Sequence, residues 1–139
     1  MPGESGGGAV SAHDELVDLL QRYARAVDRR DLDALAGLFR PDAVLIGARA
    51  SQTFEEWLAT MRGPRAFPTS MHVLGAPLVS LGGDGSTAAL DTYAVVYQLG
   101  DSAAGQGDLT LGINYLDDAV LEGGRWVIAR RESRTIWMR

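Results

Sequence analysis

Three residues of this sequence carry side chains suited to acid–base chemistry. Tyr23 and Asp28 lie five positions apart in YARAVDRRD, at the end of an apolar helical pattern, and His72 opens the apolar segment TSMHVLGAPLVSL. An imidazole titrates near neutral pH, so His72 can remove a proton from a carbon beside a carbonyl. A carboxylate can accept a proton or orient an imidazole, and a phenol can donate a hydrogen bond to the developing enolate. We therefore expect His72 to be a general base, Asp28 its orienting partner and Tyr23 the donor.

Each of the three residues also has a purely structural explanation. Tyr23 can be a core aromatic residue whose hydroxyl reaches the surface. Asp28 can simply begin the turn in DRRD, and a single histidine in an apolar strand is more often a hydrogen-bonded core residue. Five residues of a helix separate Tyr23 and Asp28 by about 140° around its axis, which places them on adjoining faces. Other elements of the fold must therefore bring the three groups together.

The first part of the chain carries helical patterns. Residues 1–10 are rich in glycine and predict a disordered tail. Ser11 is placed to cap a helix of about four turns. The apolar residues of this helix recur at three- and four-residue steps: Leu16, Leu19, Leu20, Tyr23 and Val27. A second, short helix has an apolar stripe from Leu32 to Phe39 and is predicted to end at Pro41, which cannot continue the helical hydrogen bonds.

The rest of the chain changes from helical to strand patterns. Residues 43–47 predict a short buried strand, and residues 54–61 predict a third helix that the loop at 63–68 ends. Four longer strands are predicted over residues 70–81, 86–99, 108–121 and 125–138. The glycine turns GGDG and EGG join them in pairs. Helices followed by an antiparallel meander predict an α+β fold, with the helices packed on one face of a strongly curved, mostly antiparallel sheet.

Composition excludes several classes of protein. The length of 139 residues suits a single domain over residues 11–139. With no cysteine and two histidines, the chain lacks a typical transition-metal set and any thiol nucleophile. The net charge of −5 and the scattered arginines argue against nucleic-acid binding. There is no apolar run of about 18 residues to span a membrane, and no secretory signal pattern, so we expect a cytoplasmic protein.

Four segments in this order resemble the SnoaL-like branch of the nuclear transport factor 2-like superfamily. They are Tyr23-x4-Asp28, DLDALAGLFRPDAV at 31–44, His72 at the start of a long strand, and NYLDDAVLEGGRWVIARR at 114–131. The resemblance covers residues 11–137. It implies a cone-shaped α+β barrel that encloses an apolar pocket. Members of the family include polyketide cyclases, ketosteroid isomerases, epoxide hydrolases, scytalone dehydratase and bile-acid dehydratases, and most use no cofactor.

The resemblance also implies roles for particular residues. In the dehydratase branch a Tyr, an Asp and a His form the acid–base set, and Tyr23, Asp28 and His72 match those positions. Six further residues are candidates to contact a substrate in the pocket: Trp57, Met71, Tyr93, Tyr97, Asn114 and Arg131.

These six candidates have open alternatives. Tyr93 and Tyr97 share a strand face that either lines the pocket or packs beneath another layer. Asn114 and Tyr115 lie on opposite faces of their strand. By comparison with related strands the face of Asn114 looks into the cone, so the amide of Asn114 is a candidate contact for a substrate oxygen. Arg131 can pair with Asp28 or with an anionic group of the substrate. Trp57 and Met71 are either at the pocket mouth or plain core residues.

The sequence departs from the dehydratase pattern at three places. The strand AVLIG has no tyrosine, the third long strand has no histidine, and Gly75 stands where relatives often have Asn. The reduced set still permits isomerisation, cyclisation or loss of water from a β-hydroxy carbonyl. We therefore predict a cofactor-independent lyase or isomerase that acts on a hydrophobic polycyclic or polyketide-type carbonyl substrate.

The alternative is a non-catalytic module of the same fold that binds a hydrophobic ligand or dimerises. A homodimer is expected in both cases, because the face of the sheet that the helices leave uncovered carries apolar residues.

Overall fold

A computed structural model describes residues 11–139, so the predicted tail at 1–10 lies outside the described residues. The helices are α1 (Ala12–Arg29), α2 (Leu32–Ala36) and α3 (Phe54–Arg62). The strands are β1 (Phe39–Ile46), β2 (Ser51–Thr53), β3 (Thr69–Leu74), β4 (Leu78–Leu81), β5 (Thr87–Leu99), β6 (Leu109–Glu122) and β7 (Arg125–Met138).

The strands form one sheet in the order β2-β1-β7-β6-β5-β3, with β4 also paired to β5. The β1–β7 pair is parallel and the remaining pairs are antiparallel. The predicted α+β class is thus confirmed. The sheet is open rather than closed into the barrel that the resemblance implies, because within residues 11–139 the end strands β2 and β3 do not pair with each other.

Helix α1 forms as the sequence predicts and supplies much of the core. The Ser11 hydroxyl accepts a hydrogen bond of 3.1 Å from the backbone N–H of Asp14, which satisfies a donor that the first turn leaves unpaired. The apolar stripe of α1 is buried against the sheet, with Leu16, Leu20 and Tyr23 among its least exposed residues. Arg30 ends the helix in the left-handed conformation, at φ 54°.

The prediction that α2 ends at Pro41 is wrong. The helix stops at Ala36, and β1 begins at Phe39, two residues before the proline. A strand tolerates proline where its pairing is irregular. The register of β1 on β7 shifts between Phe39 and Val44, so the missing N–H of Pro41 interrupts no regular ladder.

The single strand predicted over 70–81 is two strands. Gly75, Ala76 and Pro77 separate β3 from β4, and both strands pair with β5. The other three long strands match their predicted positions closely. β5, β6 and β7 differ from the sequence prediction by at most one residue at either end. The strand β2 was not predicted.

The two faces of the sheet differ in what covers them. Alternation along the strands directs His72, Tyr115 and Ala94 to the face that α1 and α3 cover. The opposite face leaves large apolar side chains exposed, among them Met71 and Tyr93. None of the helices described between residues 11 and 139 is long and apolar enough to cross a lipid bilayer.

Candidate active site

The last turn of α1 lies against the edge strand β3, and this contact joins Asp28 to His72. The Nδ1 atom of His72 lies 2.6 Å from Oδ1 of Asp28. Because β3 is the last strand in the sheet order, the backbone N–H of His72 is free to donate to Oδ2 of Asp28, at 2.8 Å. The hydroxyl of Ser70 donates to Oδ1 at 2.9 Å. Three donors therefore fix the carboxylate of Asp28, which lies within the helix rather than in a turn.

These contacts determine which nitrogen of His72 can act as a base. An ionised carboxylate only accepts hydrogen bonds, so Nδ1 carries a proton and donates it to Asp28. The neutral ring then has its lone pair on Nε2. The side chain of His72 is 7% exposed and that of Asp28 is 18% exposed, so the pair is shielded from bulk water.

Burial lowers the pKa of His72 below its ordinary value of 6.5. The hydrogen bond and the charge of Asp28 act in the opposite direction, and the positive charge of Arg131 adds to the lowering. The imidazole of His72 is therefore neutral at pH 7, which is the state that accepts a proton.

Tyr23 packs at the centre of a group of aromatic rings beside His72. Its ring centroid lies 6.1 Å from that of His72, in an edge-to-face arrangement, and 6.5 Å from that of Trp57. Phe39 and Tyr115 each lie 6.0 Å from Tyr23. Aromatic surroundings keep the local dielectric low, which strengthens each charged contact of the Asp28–His72 pair.

Arg131 is buried behind these rings and pairs with Asp117, not with Asp28. Its Nε and Nη2 atoms donate to the two carboxylate oxygens of Asp117 at 2.6 and 2.9 Å. Arg131 is 1% exposed and Asp117 is 3% exposed. Burial alone would lower the pKa of Arg131, but the carboxylate of Asp117 outweighs it and raises this pKa. The arginine therefore stays charged.

The charge of Arg131 lies over the faces of two phenol rings. Its central guanidinium carbon is 4.0 Å from the ring centroid of Tyr23 and 4.1 Å from that of Tyr115. Burial raises the pKa of Tyr115 well above 10, with Tyr23 adding to the rise and Arg131 opposing it. Tyr115 is thus a protonated phenol next to the predicted donor.

Tyr115 and Asp117 were missed from the sequence, because the opposite face of β6 was expected to look inward. The sequence places Asp117 and Arg131 on the two strands of one predicted hairpin, but it does not show that either side chain is buried.

The structure brings only some of the predicted residues together. Trp57 and Arg131 contact Tyr23, and through it they adjoin the Asp28–His72 pair. The remaining candidates share the opposite face of the sheet: Met71, Tyr93, Tyr97 and Asn114. The amide of Asn114 donates to the carboxylate of Asp91 at 2.7 Å.

A groove of about 980 Å³ lies elsewhere, on the solvent side of α1 near α2 and the β6–β7 turn. Its lining combines acidic residues and arginines with apolar residues such as Leu19 and Trp126, and contains none of Tyr23, Asp28 and His72. Within residues 11–139, no three His, Cys, Asp or Glu side chains are grouped to hold a metal ion.

Comparison with known proteins places the chain in a family. The sequence profile of the SnoaL-like domain matches residues 8–132. An uncharacterized protein of Mycobacterium tuberculosis is 31% identical over 129 residues, which is 88% of this chain and 84% of that protein.

Solved structures share the fold at low sequence identity. A candidate scytalone dehydratase from Novosphingobium aromaticivorans aligns with a TM-score of 0.76 at 18% identity, over 90% of this chain and 84% of that one. A hexachlorocyclohexane dehydrochlorinase, LinA type 2, aligns with a TM-score of 0.77 at 14% identity, over 90% of this chain and 85% of that one. The chain therefore belongs to the SnoaL-like family and has the fold of the nuclear transport factor 2-like superfamily.

Proposed function

We propose that this protein is a cofactor-independent lyase or isomerase that removes a proton beside a carbonyl group of a hydrophobic substrate. One observation carries the proposal: the buried, neutral imidazole of His72 donates through Nδ1 to a carboxylate that two further donors hold in place. A histidine that only filled the core would need one hydrogen-bond partner, not an anion aligned on one nitrogen.

In the proposed reaction, Nε2 of His72 takes the proton from the α-carbon. The imidazolium that forms is stabilised by Asp28, whose carboxylate is already in position. Tyr23 donates a hydrogen bond to the oxygen of the enolate. The enolate then has three routes. It takes the proton back from His72 at another carbon; or its carbon attacks a second carbonyl of the substrate, whose C=O π bond opens to an alkoxide that His72 protonates; or it expels a leaving group from the β-carbon, which departs with the proton of His72.

The names of two structural neighbours fit this type of chemistry. Dehydrochlorinase and dehydratase both denote eliminations, in which a base removes a proton and a leaving group departs. The proposed substrate is a hydrophobic carbonyl compound, because the base adjoins the ring of Tyr23. Three further aromatic rings pack around Tyr23: Phe39, Trp57 and Tyr115.

Exchange of α-protons for deuterium tests the proposal without knowledge of the natural substrate. We expect the protein to accelerate exchange in at least one member of a panel of mono-, bi- and tricyclic ketones such as 2-tetralone in D2O, followed by NMR. Replacing His72 by Gln should lower the accelerated rate ~100-fold or more. His13→Gln is the matched control, since the side chain of His13 is 56% exposed. Equal exchange rates for the His72 and His13 variants would reject His72 as the base.

We also propose that the protein is a homodimer joined through the uncovered face of the sheet. Apolar side chains on this face are strongly exposed, with Tyr93 at 68% and Met71 at 53%. Burying such a patch in a symmetric contact removes apolar surface from water.

A further inference from the structure

Two arginines lie at the edge of the Asp28–His72 pair. Arg30 directly follows α1, and Arg65 lies in the loop between α3 and β3. Both side chains are half-buried. Arg30 adopts a left-handed backbone conformation, with φ 54°, at a helix end where glycine is the usual residue. Arg30 thus places a long cationic side chain at a backbone position that favours glycine, which has no side chain.

Neither guanidinium is neutralised. Arg30 donates through Nη1 to the sulfur of Met61, and Arg65 donates through Nη2 to the hydroxyl of Ser70 at 3.4 Å. A thioether is a weak acceptor, and the second contact is long. Among residues 11–139 no carboxylate lies within salt-bridge distance of either arginine. The Nε atoms of both arginines are buried, and neither has a hydrogen-bond partner among residues 11–139.

The two cations also act on each other. Burial lowers the pKa of Arg30, and the positive charge of Arg65 lowers it further. Two like charges that share a half-buried site repel, and an anion bound by both guanidinium groups would offset that repulsion.

Arg65 is connected to the Asp28–His72 pair by a single side chain, and Arg30 caps the helix that carries Asp28. The hydroxyl of Ser70 contacts Arg65 and donates to Asp28, the partner of His72. An anion held by Arg30 and Arg65 would therefore lie next to the Asp28–His72 pair. The local charge indicates which anion fits: two arginines and one aspartate leave one positive charge, and His72 is neutral. A monoanion balances this charge, whereas a phosphate dianion exceeds it.

We propose that Arg30 and Arg65 form a carboxylate-binding subsite, so that the substrate is a carbonyl compound that also carries one carboxylate. The assignment of this ligand as a substrate rests on the proposed function. Binding at the subsite does not, because it requires no turnover.

The subsite can be tested with small aromatic probes on the whole protein. Benzoate, its neutral isostere benzamide, and phenyl phosphate are titrated separately, and binding is followed by NMR shifts of the arginine Nε–H groups and the His72 ring. We expect benzoate to bind at least 10-fold more tightly than either of the other probes. Arg30→Gln and Arg65→Gln should each weaken benzoate binding 10-fold or more and leave benzamide binding unchanged.

Matched controls separate the subsite from general electrostatics and from loss of function. Arg29→Gln removes the same charge one residue away, from a side chain that lines the groove on the other side of α1, and should leave benzoate binding unchanged. Equal affinities for benzoate and benzamide in the unmodified protein, or no detectable benzoate binding, would overturn the proposal, whether or not any variant folds. Tighter binding of phenyl phosphate would overturn the monoanion assignment. Benzoate binding retained in His72→Gln would keep the subsite even if the proposed reaction fails.

Discussion

Replacing one partner of the buried Arg131–Asp117 pair should destabilise the protein far more than replacing both partners by apolar residues. Arg131→Met leaves the carboxylate of Asp117, which is 3% exposed, without its two donors. Removing one partner of such a pair costs about 3–5 kcal/mol. For a chain of 139 residues the unfolding entropy is about 0.3 kcal/mol per kelvin, so the melting temperature should fall by about 10–17 °C.

The double variant Arg131→Met/Asp117→Leu should recover most of this loss, because no unpaired charge stays buried. Urea unfolding of the unmodified protein, both single variants and the double variant, followed by tryptophan fluorescence, gives the four free energies of a double-mutant cycle. Arg134→Met is the matched control on the same strand. Arg134 contacts Glu132 at 2.7 Å with its side chain 60% exposed, and its removal should change stability little.

The cycle can contradict this reasoning in two ways. A double variant as unstable as Arg131→Met would mean that packing of the arginine between Tyr23 and Tyr115, not its charge pairing, sustains the fold. A loss no larger than that of Arg134→Met would mean that water reaches Asp117 and solvates it, so that the pair is not buried in solution.

Two further predictions follow from the site and the sheet. The folded-state pKa of His72 is below its unfolded value of 6.5. The unfolded chain therefore binds more protons in this range, and the free energy of unfolding should fall as the pH drops from 6.5 through the folded-state pKa of His72. In urea titrations His72→Gln should abolish this decline. A decline of the same size in the variant would contradict the prediction. Tyr93→Glu should convert the proposed dimer to a monomer, as measured by light scattering, whereas Ala59→Glu on the exposed side of α3 should not. A Tyr93→Glu variant that stays dimeric would rule out the uncovered face of the sheet as the interface.

Local patterns in the sequence are sufficient to predict much of the fold. The cap at Ser11, the leucine stripe of α1 and the glycine turn before Arg125 each determine structure within a few residues, so the long elements begin and end near their predicted positions. The prediction errors occur where a contact between residues far apart in the sequence determines the local structure. Pro41 lies in a strand because β7 provides an irregular partner for β1, and no local signal encodes that pairing.

The pairing of Asp117 with Arg131 likewise depends on a feature that no local pattern encodes. Starting from the turn, Glu122 pairs with Arg125, and an unbroken ladder would place Asp117 opposite Arg130. A register shift between Asp118 and Ala119 moves the pairing by one residue, so Asp117 faces Arg131. Because side chains alternate along a strand, a single extra residue exchanges the two faces. The sequence shows the charged residues but not the shift that pairs them.

The proximity of Asp28 and His72 could be anticipated only through the family pattern, since 44 positions separate them. What the structure adds is the state of the pair before the proposed reaction. His72 is neutral and its Nδ1 proton already faces Asp28, so the full attraction between imidazolium and carboxylate appears only when Nε2 gains a proton. An interaction that strengthens as the proton moves stabilises the transition state more than the bound substrate, and such an interaction accelerates a reaction. Ser70 and the backbone N–H of His72 hold the carboxylate in place beforehand, so little reorganisation would oppose the proposed transfer.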